Sequence, residues 1–227
     1  MGGGKTKALC EEALDAALQH PGIEIVVGRK EHTAIARTTR KTFFREVLPP
    51  VLEPFCRVIS SGGEDFIQFP NGPSGTTRGG STIHFAGLDD PVKWNSSELG
   101  LLAIDEAHEV EEDTVQLLNT RLRQKCRDCL EKQFKNCDHL PRQILCGFNP
   151  ENPGHWLWAW FVDGAEKTAW GYYKRELRLD EFAESLGSAI FVRALPTDNP
   201  YLPKGYIERE LAGMKEFQRK RYLEGEC

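Results

Sequence analysis

Apolar positions along this chain change their spacing several times, and each change predicts an element. Lys5 to His20 ("KTKALCEEALDAALQH") is rich in Ala and Leu and is stopped by Pro21-Gly22, which predicts a helix. "IEIVVGR" follows as a short, almost continuous apolar run, the form of a buried strand. "HTAIARTTRKTFFREVL" predicts a second helix, ended by Pro49-Pro50. Helix, strand, helix is the opening of an α/β pattern.

From Arg57 to Phe85 the character changes. Short β-prone pieces ("RVIS", "DFIQF", "STIHF") alternate with "SGGE" and "PNGPSGTTRGG", so short strands or hairpins with Gly-rich loops are expected. "GLLAIDE" is an apolar run that ends in carboxylates, the form of a central parallel strand. Glu111 to Arg123 reads as a helix, "RQILCGFNP" as another buried strand with a polar tip, "NPGHWLWAWFV" as helical and "WGYYKREL" as a strand. Pro203 to Glu224 closes the chain as a helix, with Ile207, Leu211 and Met214 on one face. There is no internal repeat and no low-complexity tract.

Composition narrows the class. With 227 residues, 28% charged and 40% hydrophobic, the chain can bury one sizeable core. No apolar run nears the roughly 18 residues that span a bilayer, and no signal segment opens the chain. The net charge of -5 argues against tight, constitutive DNA binding. Basic residues do cluster locally, in Gly28 to Arg45 and Lys215 to Arg221, where a solvated helix face is the competing account.

"MGGGKTKAL" carries the second half of a phosphate-binding loop, G-x-x-x-x-G-K-[ST]. The first Gly of that pattern would fall two positions upstream of Met1. In such a loop the backbone N–H groups of Gly2, Gly3 and Gly4 wrap phosphates, Lys5 reaches the β/γ-phosphates and Thr6 ligates Mg²⁺. By itself the stretch also fits a Gly-rich terminus before a helix.

The second motif decides between these. In "LLAIDEAHE" four apolar residues precede Asp105 and Glu106. Asp105 at a strand tip can hold Mg²⁺ through water, and Glu106 can orient and deprotonate the attacking water. A GKT and an apolar-run-Asp-Glu about 100 residues apart, with α/β patterning between, point to nucleotide binding. "DEAH" also spells a helicase box, but the letters add little, and His108 reads equally well as a loop residue. Asn149, in "ILCGFNPENPGHW", sits at the end of another strand. There it can touch a γ-phosphate or simply make an Asn-Pro turn.

With these residues in view, the sequence resembles the ATPase domain of a tailed-bacteriophage terminase large subunit, the DNA-packaging motor. The resemblance rests on "GGGKT", "IVVGRKEHTAIARTT", "STIHFAGLDD", "LLAIDEAHEVEEDTVQLLNTRLR", "GFNPENPGHW" and "TDNPYLPKGYIERELAGMKEFQRKRYLEGE", in family order over nearly the whole chain. It implies a P-loop NTPase fold of the ASCE type, with a mainly parallel central sheet flanked by helices. Lys5 and Thr6 match the phosphate loop, Asp105 the Mg²⁺-associated Asp, Glu106 the catalytic Glu and Asn149 the coupling motif. Arg78 and Arg29 are candidates for an arginine finger, which such motors often take from a neighbouring subunit. The resemblance further implies ATP and Mg²⁺, double-stranded DNA, a portal protein, a terminase small subunit and a homo-oligomeric ring in the host bacterial cytoplasm, with no membrane.

Two departures stand out. The first strand and the front of the phosphate loop are missing, and the nuclease domain of such subunits would begin where this chain stops. The expectation is therefore a single ATPase domain over 1–227, as a fragment whose Met1 is an internal methionine. Two other readings stand beside it: a helicase-like or repair ATPase, which needs a second motor domain, and a non-hydrolysing prophage remnant or assembly module.

Seven cysteines without a secretory signal do not suggest a disulfide framework. Cys126, Cys129, Cys137 and His139 fall within fourteen residues and have a ligand set that can close a tetrahedral Zn²⁺ site in a small insertion over 124–141. The scatter of Cys10, Cys56, Cys146 and Cys227 argues the other way, for a chain that is merely Cys-rich. Trp156, Trp158 and Trp160 alternate and read as packing rather than as base-stacking residues.

Overall fold

The structure is a computed structural model. It describes residues 4–133, 137–149, 153–169, 171–177, 187–199, 202, 204–216 and 219. Two compact units emerge, Lys5–Phe148 and a second made of Asn149–Cys227 with Met1–Gly4. The division arises because the later strands form a sheet of their own.

In the first unit, α1 (Lys5–Gln19) leads into β1 (Glu24–Arg29). α1 buries Leu9, Cys10, Ala13, Leu14 and Ala17, a stripe of one helical face. α2 (His32–Arg37) and α3 (Thr39–Thr42) follow, then a wide turn at Phe43–Val47 closed by Leu48 N–H donating to Phe43 O at 2.8 Å. The sequence predicted one continuous helix here. It breaks at Thr38, whose backbone (φ -120, ψ -84) leaves the helical region while its hydroxyl donates to Ala34 O at 2.8 Å. β-branched side chains that can bond the preceding turn favour such a break.

β2 (Arg57–Ser61) and β3 (Glu64–Gln68) form a hairpin. Gly62 and Gly63 supply its two positive φ angles, 65° and 84°, as the tight two-residue turn requires. β4 (Thr82–Gly87), β5 (Leu101–Asp105), α4 (Glu112–Asn119), α5 (Arg127–Glu131) and β6 (Gln143–Gly147) complete the unit. α4 is shorter than its predicted span of Glu111 to Arg123.

The sheet order is β2-β3-β4-β1-β5-β6. β4, β1, β5 and β6 run parallel, and β3 joins β4 antiparallel with β2 outside it. The mostly parallel α/β sheet expected from the sequence is present. Ile25, Val27, Ile83, Phe85, Leu101 and Ala103 pack with α1 and Phe43 in one core. Val26, Leu102 and Ile104 alternate to the other face and are equally buried. Burial on both faces is why these strands read as unbroken apolar runs. At Gly147 a Cβ would lie 2.7 Å from Leu9 Cδ1, so any larger residue there would have to displace the Leu9 side chain between α1 and β6.

The second unit holds β7 (Glu166–Lys167), β8 (Tyr173–Leu177) and β9 (Gly187–Phe191), an antiparallel sheet. A wide helical turn at Trp158–Val162 precedes it, and Trp156 stacks edge-on to Trp160. Packing is thus what Trp156 and Trp160 do. α6 (Tyr206–Leu211) starts the terminal helix predicted for Pro203 to Glu224. That helix is interrupted by a turn at Ala212–Met214 around Gly213, a poor helix former. Among the described residues, no helix is long and apolar enough to cross a membrane.

Candidate functional site

Parallel strands place all their C-terminal ends on one edge, and the helix after a strand begins there. Asp105 is the last residue of β5 and pairs with Gly147 of β6. Lys5 and Thr6 open α1, directly after Gly4, which adopts a left-handed φ of 72°. Gly2 and Gly3 lie outside the described residues.

Residues 99 positions apart meet here. Thr6 Oγ1 stands 3.0 Å from Asp105 Oδ1 and 3.1 Å from Oδ2, and donates to this carboxylate. Thr39 Oγ1 donates to Oδ2 at 2.6 Å from the other side. Asp105 is 3% exposed and Thr39 is fully buried. A buried carboxylate needs such donors or a cation, because desolvation penalises the charge. The break at Thr38 is what frees Thr39 to point its hydroxyl at β5. Sequence reasoning missed Thr39; the one trace was a Thr-Thr pair inside an otherwise helical pattern.

Glu106 follows immediately and takes φ 50, ψ 48. A left-handed conformation is uncommon for any residue with a Cβ, and such strain concentrates at functional positions. The chain then turns through Ala107–Glu109, and His108 Nδ1 lies 3.4 Å from Glu106 Oε2.

Arg29 ends β1, one residue beyond the Gly28 that pairs with Ile104, so it shares this edge. Its guanidinium binds Glu109 through two bonds of 3.0 Å, Nε to Oε2 and NH2 to Oε1, and NH1 donates to Thr38 Oγ1 at 3.3 Å. The hydrogen bond from Arg29 holds the Glu109 carboxyl below its ordinary range, against a smaller opposing effect of burial. Cys10 backs the site, its thiol 3.7 Å from Thr39 O and pushed up to about 12 by burial and then by the Asp105 charge.

Arg78 is placed differently. It lies in the loop that enters β4, whose first residue is Thr82, at the opposite edge of the sheet. Asn149 comes two residues after Gly147 and belongs to the second unit. The structure therefore gathers Lys5, Thr6, Asp105, Glu106 and Arg29 on one edge of the first unit and leaves Arg78 on the other. Cys126, Cys129, Cys137 and His139 come together at a third place, with their ligand atoms within 4.8 Å of one another.

Hydroxyl and carboxylate oxygens are the donor set that a hard divalent cation such as Mg²⁺ prefers, so Thr6 and Asp105 fit that ion. An acid next to them in a strained turn suits general-base work on water.

Comparison with known proteins bears on this arrangement. No curated protein sequence matches the chain. The large terminase of a thermophilic bacteriophage is similar in fold, with a TM-score of 0.67 at 15% identity over 98% of this chain and 45% of that one. The same terminase in complex with ADP gives 0.65 at 17% identity over 100% of this chain and 46% of that one. The ATPase domain of the Thermus phage P74-26 large terminase gives 0.58 at 14% identity over 98% of this chain and 84% of that domain. The chain thus spans less than half the length of the first of these terminases. The family model of the phage terminase large subunit matches residues 1–224, so this chain belongs to that family.

Proposed function

We propose that this chain supplies the ATP-hydrolysing part of a motor that packages double-stranded DNA into a phage procapsid. One observation carries the reading: the Thr6–Asp105–Thr39 contact at the sheet edge, with Glu106 strained beside it. Membership of the terminase large-subunit family and the likeness to the ADP-bound terminase support it.

Lys5 would bind the β/γ-phosphates, with the backbone N–H groups of Gly2, Gly3 and Gly4 around them. Thr6 and Asp105 would hold Mg²⁺, which when bound neutralises charge on the phosphate oxygens. Glu106 orients the attacking water and accepts its proton. Asn149 would contact the γ-phosphate and pass its loss to neighbouring segments. Arg29 serves the site of its own chain by bracing Glu109. Arg78, in the loop that enters β4 at the opposite edge of the sheet, would act as an arginine finger only toward a neighbouring subunit's site. That role would go with a homo-oligomeric ring, mounted on a portal and supplied with DNA by a small subunit, as membership of the terminase large-subunit family supports. Contact with DNA is transient and made mostly to its phosphates.

The test compares nucleotide binding and phosphate release in wild-type and variant protein. Lys5→Ala should abolish nucleotide binding and phosphate release while the fold persists. Glu106→Gln should still bind ATP but turn over at least about 100-fold more slowly. Hydrolysis at the wild-type rate in either variant overturns the assignment.

A further inference from the structure

We propose that Cys126, Cys129, Cys137 and His139 bind one structural Zn²⁺ ion, independently of any nucleotide chemistry.

The ligand set is built by short-range geometry. Cys126 stands at the N-cap of α5 and Cys129 lies one turn further on, so both thiols fall on the same side. Cys137 and His139 return on the segment leading to β6. All four donor atoms lie within 4.8 Å of one another. His139 Nδ1 stands 3.3 Å from Cys126 Sγ and 3.4 Å from Cys129 Sγ. A neutral imidazole can offer one N–H to one of these sulfurs, not to both. A tetrahedral ion with Zn–S of about 2.3 Å and Zn–N of about 2.0–2.1 Å separates its N and S ligands by about 3.5 Å. The nitrogen's near-equal approach to two sulfurs is the edge geometry of that tetrahedron.

The surroundings complete the site. Cys126 N–H donates to Cys137 Sγ at 3.2 Å, the kind of backbone bond that steadies a metal-bound thiolate. None of these cysteines is in a disulfide. Cys129 and Cys137 are each 1% exposed and belong to the main core, which fixes the cluster to the domain. Cys126 and His139 border a cavity of about 360 Å³ shared with Gln19, His20 and Pro21, which gives an ion a route from solvent.

Four protein ligands leave no open coordination position, so the role is structural. Position agrees with this. The cluster packs at the Gln19 end of α1, whereas Thr6 is at the other end, about 20 Å away at 1.5 Å per residue. The segment it closes is tied to the edge of the sheet where β1 and β4 begin, opposite Asp105. Gln124 bridges Gly22 O and Glu24 N–H at 2.7 and 2.8 Å, and Arg127 reaches Gly79 O at 3.0 Å. The ion would hold those bridges in place from outside the sheet.

The decisive measurement is elemental analysis of the full chain purified without chelator or metal resin, paired with Co²⁺ titration of metal-stripped protein. About one zinc per chain and an intense tetrahedral cobalt–thiolate spectrum are expected. His139→Ala should raise the zinc dissociation constant at least tenfold in chelator competition. His139→Cys should restore binding, and Cys56→Ser should leave the stoichiometry unchanged. A zinc ratio near zero together with no tetrahedral cobalt spectrum in the wild-type chain overturns the proposal. So does a mass loss that reports a disulfide among Cys126, Cys129 and Cys137 in freshly isolated protein.

Discussion

Two hydroxyls on one buried carboxylate make Thr39 as informative as the phosphate-loop residues. Its 2.6 Å bond goes to a charged, desolvated acceptor, a class that contributes about 1.5–3 kcal/mol. Thr39→Val keeps the shape and removes the donor. It should lower unfolding free energy by that amount in denaturant titration, whereas Thr39→Ser should stay near wild type. Glu106 makes the opposite case. Its left-handed backbone costs roughly 1–2 kcal/mol that glycine would avoid. Glu106→Gly is therefore expected to match or exceed wild-type stability by up to about 1 kcal/mol while losing turnover. A variant both unstable and active would refute the strain argument.

At the level of elements, the end of β1, the α2–α3 break and the turn after β5 are held together by Arg29. The sign of its pH dependence follows from Glu109. That carboxyl titrates lower in the fold than in the unfolded chain, because Arg29 hydrogen-bonds its ionised form. Its stabilisation is present above the unfolded carboxylate value, about 4.3, and is lost as pH falls through the lower folded value. Glu109 is 36% exposed, so solvent screening limits the pair to about 0.5–1 kcal/mol. Glu109→Gln should cost that much at pH 7, and the gap to wild type should close in acid. Stability curves from pH 7 to pH 3 measure it.

For the whole molecule the net charge of -5 repels duplex DNA, so any DNA contact must rest on local cations. Arg37, Lys41 and Arg45 are exposed on the segment after β1, whereas Arg40 is held by Asp65 at 2.8 Å. Replacing the three exposed residues by Gln should weaken duplex binding at low salt. The slope of log affinity against log salt should flatten by about 0.9 for each phosphate no longer neutralised. An unchanged slope would place the DNA-facing surface elsewhere. The fold itself would not be disturbed, since these side chains are solvated.

Much of this was legible in sequence order. Apolar runs at Ile25–Val27 and Leu101–Ile104 announced strands buried on both faces, and the placing of Lys5-Thr6 at a helix start and of Asp105 at a strand tip was legible too, because helix starts and strand tips are local properties. The proline and glycine stops after α1 and in the β2–β3 turn were equally local. The break at Thr38 was not legible, since the pattern around it is helical and the reward for breaking is the bond from Thr39 to Asp105, 66 residues further along the chain. Nor was the strain at Glu106, which a residue's identity does not record. Arg29 and Arg78 were equal candidates on paper. Only the parallel strand order puts one at the site and the other at the far edge. The sequence by itself therefore determined which elements form and which residue types are available for phosphate and metal chemistry. The tertiary structure decided which of them share an edge, because strand pairing joins residues with no relation in sequence spacing.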